Sequence, residues 1–276
     1  AERNPDAWGP YHSARALRAL CTGELDTTLY ELEAAAREFE SAGSLRNAWE
    51  HKAGAGFFCL ELGMLERGEQ LLREIIAVTE HVGLHHTNAV AKHNLGHRIG
   101  EAGRVGEGAA LEQEALRAFE DHDNRRMTGL THAFLARIAL VAGRLSQADE
   151  HARKGAHLLE HDYGSQIVAW ATLAQVLLRT DRGEEALEFA RRAHTRLEQL
   201  DLVQEGESLT RLAYAEALWG TGRAREALAA IEDARLNLLG RADRLSSADA
   251  RESFLSRVPE NVAILRHAKT WAESPR

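Results

Sequence analysis

The chain has 276 residues, of which 44% are hydrophobic and 28% are charged, and its formal net charge is −8. This hydrophobic content is too high, and the net charge too low, for a disordered chain. The negative balance also argues against bulk attraction to nucleic acid or to an anionic membrane surface.

The sequence contains no apolar stretch of the roughly 20 residues that a membrane-spanning helix needs. It begins at Ala1, without a methionine or the hydrophobic region of a signal peptide, which is typical of a piece excised from a longer protein. Its two cysteines are too few for a disulfide scaffold. We therefore expect a cytoplasmic protein with further domains before residue 1.

All four prolines lie near the two ends of the chain, at Pro5, Pro10, Pro259 and Pro275. Proline disrupts helix interiors, so its absence from residues 11–258 favours helices there. Leucine also outnumbers the β-branched residues isoleucine and valine together. This composition predicts an all-α protein and argues against strand-based nucleotide-binding or hydrolase folds.

A pattern of about 40 residues repeats along the chain. Its turn positions are Gly23, Gly63, Gly103, Gly143, Asp181 and Gly222. Seven residues before each turn stands a small residue, in the order Ala16, Gly56, Gly96, Ala136, Ala174 and Ala215. This spacing predicts pairs of amphipathic helices that are joined by tight turns and approach closely at the small residues.

This arrangement of small residues around a turn glycine resembles the tetratricopeptide repeat, a helix–turn–helix unit of about 34 residues. Trp170 falls at the family's tryptophan position, eleven residues before Asp181. The longer unit is similar to the repeats of MalT-type regulators and kinesin light chains. The resemblance implies a right-handed α-solenoid over residues 8–245, with six repeats at about 8–44, 45–84, 85–124, 125–162, 163–203 and 204–245.

Residues 246–276 do not continue the period and predict helices that are interrupted at Pro259 and cap the end of the solenoid. The string ESFLSRVPEN in this segment resembles the C-terminal region of bacterial multidomain regulators. In those proteins a kinase or winged-helix module precedes a STAND-type NTPase and a terminal repeat array. This second resemblance implies a fused upstream effector domain.

The sequence contains none of the motifs that mark common catalytic sites. No lysine lies in a P-loop, and the chain has no G-x-S-x-G, H-E-x-x-H or C-x-x-C string. We therefore predict no catalytic residue, no enzyme activity and no cofactor.

Two histidines, His93 and His97, lie four residues apart on one predicted helix, where two imidazoles could share a metal ion. No cysteine or carboxylate completes a familiar zinc spacing nearby, and the chain has 14 histidines. Ordinary surface histidines are the favoured interpretation, with a metal at this pair as the alternative.

In tetratricopeptide arrays, the first helix of each unit lines the concave face of the solenoid. Carried over to this chain, the resemblance implies a groove that binds a peptide or protein. The predicted groove residues are Phe57, His93, Asn94, His97, Phe134, Arg137, Gln175, Arg179, Glu216 and Trp219. Asn94 can donate to and accept from a peptide backbone, and the arginines can pair with carboxylates. The aromatic residues would supply apolar anchors.

The leading functional hypothesis is a non-catalytic interaction or ligand-sensing domain of a cytoplasmic bacterial signalling or transcription regulator. It would bind a peptide or protein in the groove. Binding would change the pitch of the solenoid, and the effector domain would respond to that change. The alternative is a structural oligomerisation scaffold, in which Phe57 or Trp219 is buried against a second copy in a homodimer. An all-helical enzyme is a third hypothesis, which the regular repeat disfavours. No nucleic-acid or membrane partner is expected.

Overall fold

The computed structural model describes residues 5–200 and 205–273, and every regular element in these residues is an α-helix. The helices are α1 Pro5–Thr22, α2 Leu25–Ser41, α3 Leu45–Glu61, α4 Leu65–His81, α5 His85–Glu101, α6 Val105–Asp121, α7 Arg125–Val141, α8 Leu145–Leu158, α9 Gln166–Arg179, α10 Gly183–Leu197, α11 Glu207–Gly220, α12 Ala224–Ala242, α13 Ala248–Arg257 and α14 Pro259–Glu273. Within the described ranges, no helix is both long enough and apolar enough to cross a membrane.

At the predicted hairpin turns, the residue that follows the first helix has a left-handed backbone conformation. Gly23, Gly63 and Gly103 have φ angles of 75°, 75° and 98°. The Gly63 amide donates to the Leu60 carbonyl at 3.0 Å, and the Met64 amide donates to the Cys59 carbonyl at 2.8 Å. These two bonds close a Schellman helix end, in which glycine avoids the steric cost of a positive φ.

The same turn also joins successive hairpins, which the sequence pattern did not show. Gly43, Gly83 and Asp123 have φ angles of 73°, 72° and 52°. Asp181, which stands at a predicted turn position, has a φ of 57°. Aspartate tolerates this conformation because its short polar side chain can bond locally. In the first three hairpins a left-handed residue therefore follows both helices.

The twelve helices α1–α12 form six hairpins, and this confirms the predicted all-α solenoid. Each helix packs on the next one along the chain, and the first helices of successive hairpins also touch, as in the series α3, α5, α7, α9 and α11. The first helices thus form an inner layer. The second helices lie outside it, as expected for a curved array whose concave face is lined by first helices.

Helices α5 and α6 approach each other very closely at their predicted small residues. A Cβ atom at Gly108 would lie 2.5 Å from the Gly100 Cα and 2.6 Å from the Gly96 carbonyl oxygen. Both neighbours are backbone atoms that cannot move aside. Only glycine at 108 allows these two helices to pack at this distance.

The last two helices, α13 and α14, pack against both ends of the curved array. Phe254, Ile264 and Trp271 are buried in one apolar cluster with Phe58 of the second hairpin and Leu218 of the sixth. The segment before α13 is held by α2, because Asp26 Oδ2 accepts hydrogen bonds from the Ser246 and Ser247 amides at 2.8 and 2.9 Å. The C-terminal segment therefore closes the curl as well as capping its last repeat.

The packing of Phe254 leads to a stability prediction. Its side chain is 2% exposed, so Phe254→Ala should lower the free energy of unfolding by about 3–5 kcal/mol, through lost apolar burial and the cavity that remains. Urea unfolding followed by circular dichroism measures this change. Leu236→Ala, at a side chain that is 56% exposed, is the control and should change stability by less than about 0.5 kcal/mol. Equal stability of the two variants would show that α13 is not part of the core.

Candidate functional site

The structure divides the ten predicted groove residues among different surroundings. Three of them line an open cavity on the concave face: Phe57, His93 and Asn94. Three line a much smaller internal cavity: His97, Phe134 and Arg137. Three are joined to α14, directly or through one another: Gln175, Glu216 and Trp219. The last one, Arg179, is exposed at the end of α9. The ten residues that the resemblance assigns to the groove are therefore distributed over an open cavity, a small internal cavity, the contact with α14 and the exposed end of α9.

The open cavity has a volume of about 560 Å³ and is bounded by α3, α5 and the start of α7. Phe57, Val90 and Leu130 give it apolar surface, while the half-buried Asn94 contributes an amide. Ligand pockets commonly have volumes of about 300 to 1,000 Å³ and combine apolar walls with a few polar groups. The cavity has the size and the lining of a binding site.

His93 is fixed in the wall of this cavity rather than free to meet a ligand. Its side chain is 2% exposed, and its Nδ1 atom lies 3.0 Å from Oε2 of Glu112 and 3.1 Å from Oγ1 of Thr131. Burial alone would lower the pKa of His93, but the Glu112 carboxylate outweighs it and raises that pKa. Burial also raises the pKa of Glu112. The pair anchors α5 to α6 beneath the cavity.

The other member of the predicted histidine pair, His97, stacks on Phe134 with ring centroids 3.7 Å apart and planes 3° apart. Its Nε2 atom lies 3.0 Å from Oε2 of Glu101. The two histidines thus have different carboxylate neighbours. Among the described residues, no group of three or more histidine, cysteine, aspartate or glutamate side chains is arranged to hold a metal ion.

A network of buried charges fills the centre of the concave side. Arg137 is 8% exposed and pairs with Glu101 of α5 and with Glu260 of α14. Arg98 pairs with Glu61 of α3 and lies 3.7 Å from Glu260. The cavity left beside this network is only about 40 Å³. Arg137, which the sequence pattern assigns to ligand binding, already has two carboxylate partners within the chain.

Helix α14 packs against α11 on the concave side. Trp219 stacks on Trp271 of α14 at a centroid distance of 4.5 Å and an interplanar angle of 5°. Glu216 lies 3.3 Å from Nε2 of His267 on α14 and accepts a hydrogen bond from Gln175 at 3.2 Å. Sequence periodicity did not show this contact, because α14 lies outside the repeat.

The sequence analysis assigned only three lining residues of the open cavity, and the charged side chains that it missed include Arg126 and Glu205. Arg126, at the start of α7, donates to Ser165 Oγ at 2.9 Å, and the half-buried Glu205 lies just before α11. Burial, and then repulsion from Glu61, raise the pKa of Glu205. Glu205 lies in the connection between two repeats, where a pattern based on helices makes no assignment. Only the folded chain brings it to the inner face.

Sequence comparison finds no protein-family model and no curated protein that matches the chain. Similar solved structures include a Rap protein complexed with Competence and Sporulation Factor, with a TM-score of 0.66 and 11% identity over 96% of this chain and 75% of that one. The apo form of RapI has a TM-score of 0.58 and 9% identity over 97% of this chain and 77% of that one. A kinesin-light-chain-type protein of Podosopora anserina with nearly identical TPR-like repeats has a TM-score of 0.50 and 16% identity, over 67% of this chain and 92% of that one. These likenesses show the fold, a tetratricopeptide-like α-solenoid.

The buried network predicts that Glu260 holds α14 in its place. Removing one partner of a buried ion pair costs about 3 kcal/mol or more, because the remaining charge loses its compensation. We expect Glu260→Gln to lower the free energy of unfolding by about 3 kcal/mol, measured by urea titration. Glu252→Gln, at an exposed position of α13, removes the same charge and should leave stability unchanged. Equal midpoints for the two variants would contradict a stabilising role for Glu260.

The same network predicts a loss of stability in acid. Burial would raise the pKa of Glu101, but Arg137, followed by His97 and Arg98, holds it well below its ordinary value. A carboxylate with a depressed pKa stabilises the fold above its unfolded pKa of about 4.3 and loses this contribution as pH falls through the folded value. We expect the free energy of unfolding to decrease steadily below about pH 4.3. Glu101→Gln should lower the free energy of unfolding at pH 7 and make its decrease with falling pH less steep. A decrease as steep as that of the unmodified chain would contradict this prediction.

Proposed function

We propose that this chain is an interaction domain that binds a peptide or a protein segment in the open cavity on its concave face. The observation that carries this proposal is the cavity of about 560 Å³, in which an amide side chain lies among apolar residues. Asn94 can bond to a peptide backbone through both its carbonyl and its NH2 group. Phe57 and Leu130 can bury an apolar side chain of the same ligand.

One solved structure of similar fold supports a binding role for this chain. The Rap protein structure contains Competence and Sporulation Factor as its binding partner. By analogy, we infer a ligand-sensing role for this chain, as part of a cytoplasmic bacterial signalling or transcription regulator of the MalT-like, long-repeat type. A fused upstream effector domain would respond to the conformational change that the ligand causes in the solenoid. Such coupling requires the ligand to bind two conformations of the array with different affinities.

The charges around the open cavity narrow the chemistry of the ligand. Glu50 and Glu205 line it together with a single arginine, Arg126, and the pKa of Glu205 is raised by burial and by Glu61. A basic side chain or an amino terminus on the ligand would relieve this repulsion. We therefore expect the ligand to combine an apolar side chain, for the surface around Phe57, with a positive group beside Glu205.

A second candidate function is self-association through the first hairpin. Tyr11 and Leu17 of α1 and Tyr30 of α2 are 46%, 59% and 61% exposed. These apolar side chains could be buried against a second copy, as in the scaffold hypothesis. Trp219, which the sequence analysis considered for that role, instead stacks on Trp271 within the chain.

The cavity can be tested with peptides selected on the unmodified chain from a display library. Asn94→Ala should weaken the selected peptides about tenfold, since it removes hydrogen bonds worth about 1.4 kcal/mol together. Fluorescence anisotropy measures the affinity, and circular dichroism verifies that helicity is retained.

Arg179→Ala is the matched control, because this residue belongs to the predicted set but lies outside the open cavity. It should leave the affinity unchanged. If the Asn94→Ala chain bound the peptides as tightly as the unmodified chain, the ligand would not occupy this cavity. Light scattering of the same samples distinguishes the second candidate, which predicts a dimer with or without peptide.

A further inference from the structure

The outer helix α10 carries three neighbouring arginines. Arg191, Arg192 and Arg196 make no ion pair with any residue in the described ranges. This contrasts with the outer helix before it, where Arg153 pairs with both Asp149 and Glu185. In a chain with a net charge of −8, three arginines with one carboxylate, Glu188, on the same surface form a local excess of positive charge, which favours an acidic ligand.

Aromatic rings hold two of these guanidinium groups in place. Arg192 lies 4.4 Å from the ring centroid of Trp170 and 5.3 Å from that of Phe189. Arg196 lies 4.5 Å from the ring centroid of Tyr163. Stacking on a ring occupies one face of a guanidinium and leaves the N–H groups at its edge able to donate. The two side chains are therefore ordered before any ligand arrives, which lowers the entropic cost of binding.

These side chains border a surface cavity of about 510 Å³, here named the arginine groove. Its lining is Trp170, Glu188, Arg191, Arg192, Thr195, Arg196 and Gln199, so one carboxylate lies beside three arginines. The groove shares no lining residue with the open concave cavity. The inference below is therefore independent of the proposed function.

The spacing of the groove matches an extended peptide. Arg192 and Arg196 are four residues apart on a helix, which corresponds to a rise of about 6 Å. In an extended chain, side chains two residues apart lie on the same side and are separated by about 6.6 Å. Two carboxylates with one residue between them can therefore meet the two guanidinium edges. Thr195 of α10 and Gln199, just beyond the end of that helix, also line the groove and can bond to the peptide backbone.

We propose that the arginine groove is a second binding site, which takes an extended acidic peptide segment of a partner protein with two carboxylates two residues apart. Each carboxylate accepts hydrogen bonds from one guanidinium, in the geometry that arginine offers to planar anions. Nucleic acid fits this surface less well. Single strands are bound by stacking bases on aromatic rings, but Arg192 lies over the Trp170 ring, and Trp170 is only 7% exposed.

Labelled eight-residue peptides provide the test. One carries a central Glu-Ala-Glu, a second has the same composition with adjacent glutamates, and a third carries Gln-Ala-Gln. Fluorescence anisotropy should show binding of the first peptide to the unmodified chain, several-fold weaker binding of the second, and none of the third. Arg192→Gln combined with Arg196→Gln should weaken the first peptide about tenfold or more, because two charge-assisted contacts are lost.

Arg117→Gln combined with Arg225→Gln is the matched control, since it removes two exposed arginines from other outer helices and changes the net charge equally. This control and Asn94→Ala should both retain the affinity of the unmodified chain. Equal weakening by the two double variants, or equal affinity for the two glutamate peptides, would show only nonspecific charge attraction and overturn the proposal. The absence of binding at millimolar peptide, or tighter binding of an oligothymidylate than of the peptide, would overturn it as well.

Discussion

The architecture depends on one constraint, a left-handed turn residue that recurs every twenty residues from Gly23 to Gly143. Helices α2–α7 all have 17 residues, which corresponds to a length of about 26 Å. Because helices of equal length are joined by equal turns, successive hairpins stack with a nearly constant offset, and the array curves. The concave face, with its open cavity, is a consequence of this regular geometry. Close contacts such as that of Gly108 against the backbone of α5 keep the hairpins thin enough to stack.

The C-terminal helices decide how much of that concave face is available. Apolar side chains such as Phe254 and Trp271 bind the segment to the array, while Glu260 places it against Arg98 and Arg137. Buried ion pairs contribute little net stability when they replace apolar contacts, but an unpaired buried charge is costly. The charges therefore determine the position of α14, and the apolar contacts supply most of its stabilisation. As a result α14 packs against α11 on the concave side, and the cavity bounded by α3, α5 and the start of α7 stays open.

Arginine serves two different purposes in this chain. Inside the curl, Arg98 and Arg137 are surrounded by carboxylates that fix the position of neighbouring helices. On α10, Arg192 and Arg196 rest on aromatic rings and keep their hydrogen-bonding edges available. The same side chain is thus structural where carboxylates compensate its charge and is suited to binding where aromatic rings support it. This difference in surroundings separates the buried network from the surface of α10 that we associate with a ligand.

The sequence by itself determined the helical class, the turns and the close contacts within hairpins. These features depend on residues less than about one repeat apart, so their signals recur with the period. Gly23, Gly63 and Gly103 were read from this pattern, and the turns at Gly43, Gly83 and Asp123 belong to the same regularity although they were not recognised. Phe57 and Asn94, which the resemblance to tetratricopeptide arrays assigned to the groove, line the open cavity.

Only the tertiary structure decided which of the predicted groove residues are accessible. Arg137 and Glu260 are 123 positions apart, and Glu205 reaches the inner face from a connection between repeats. Such contacts form once the curl brings distant segments together, and no local period encodes them. The physical reason is that turn conformation and helix packing are set by neighbouring residues, whereas the coverage of a concave face depends on the path of the whole chain.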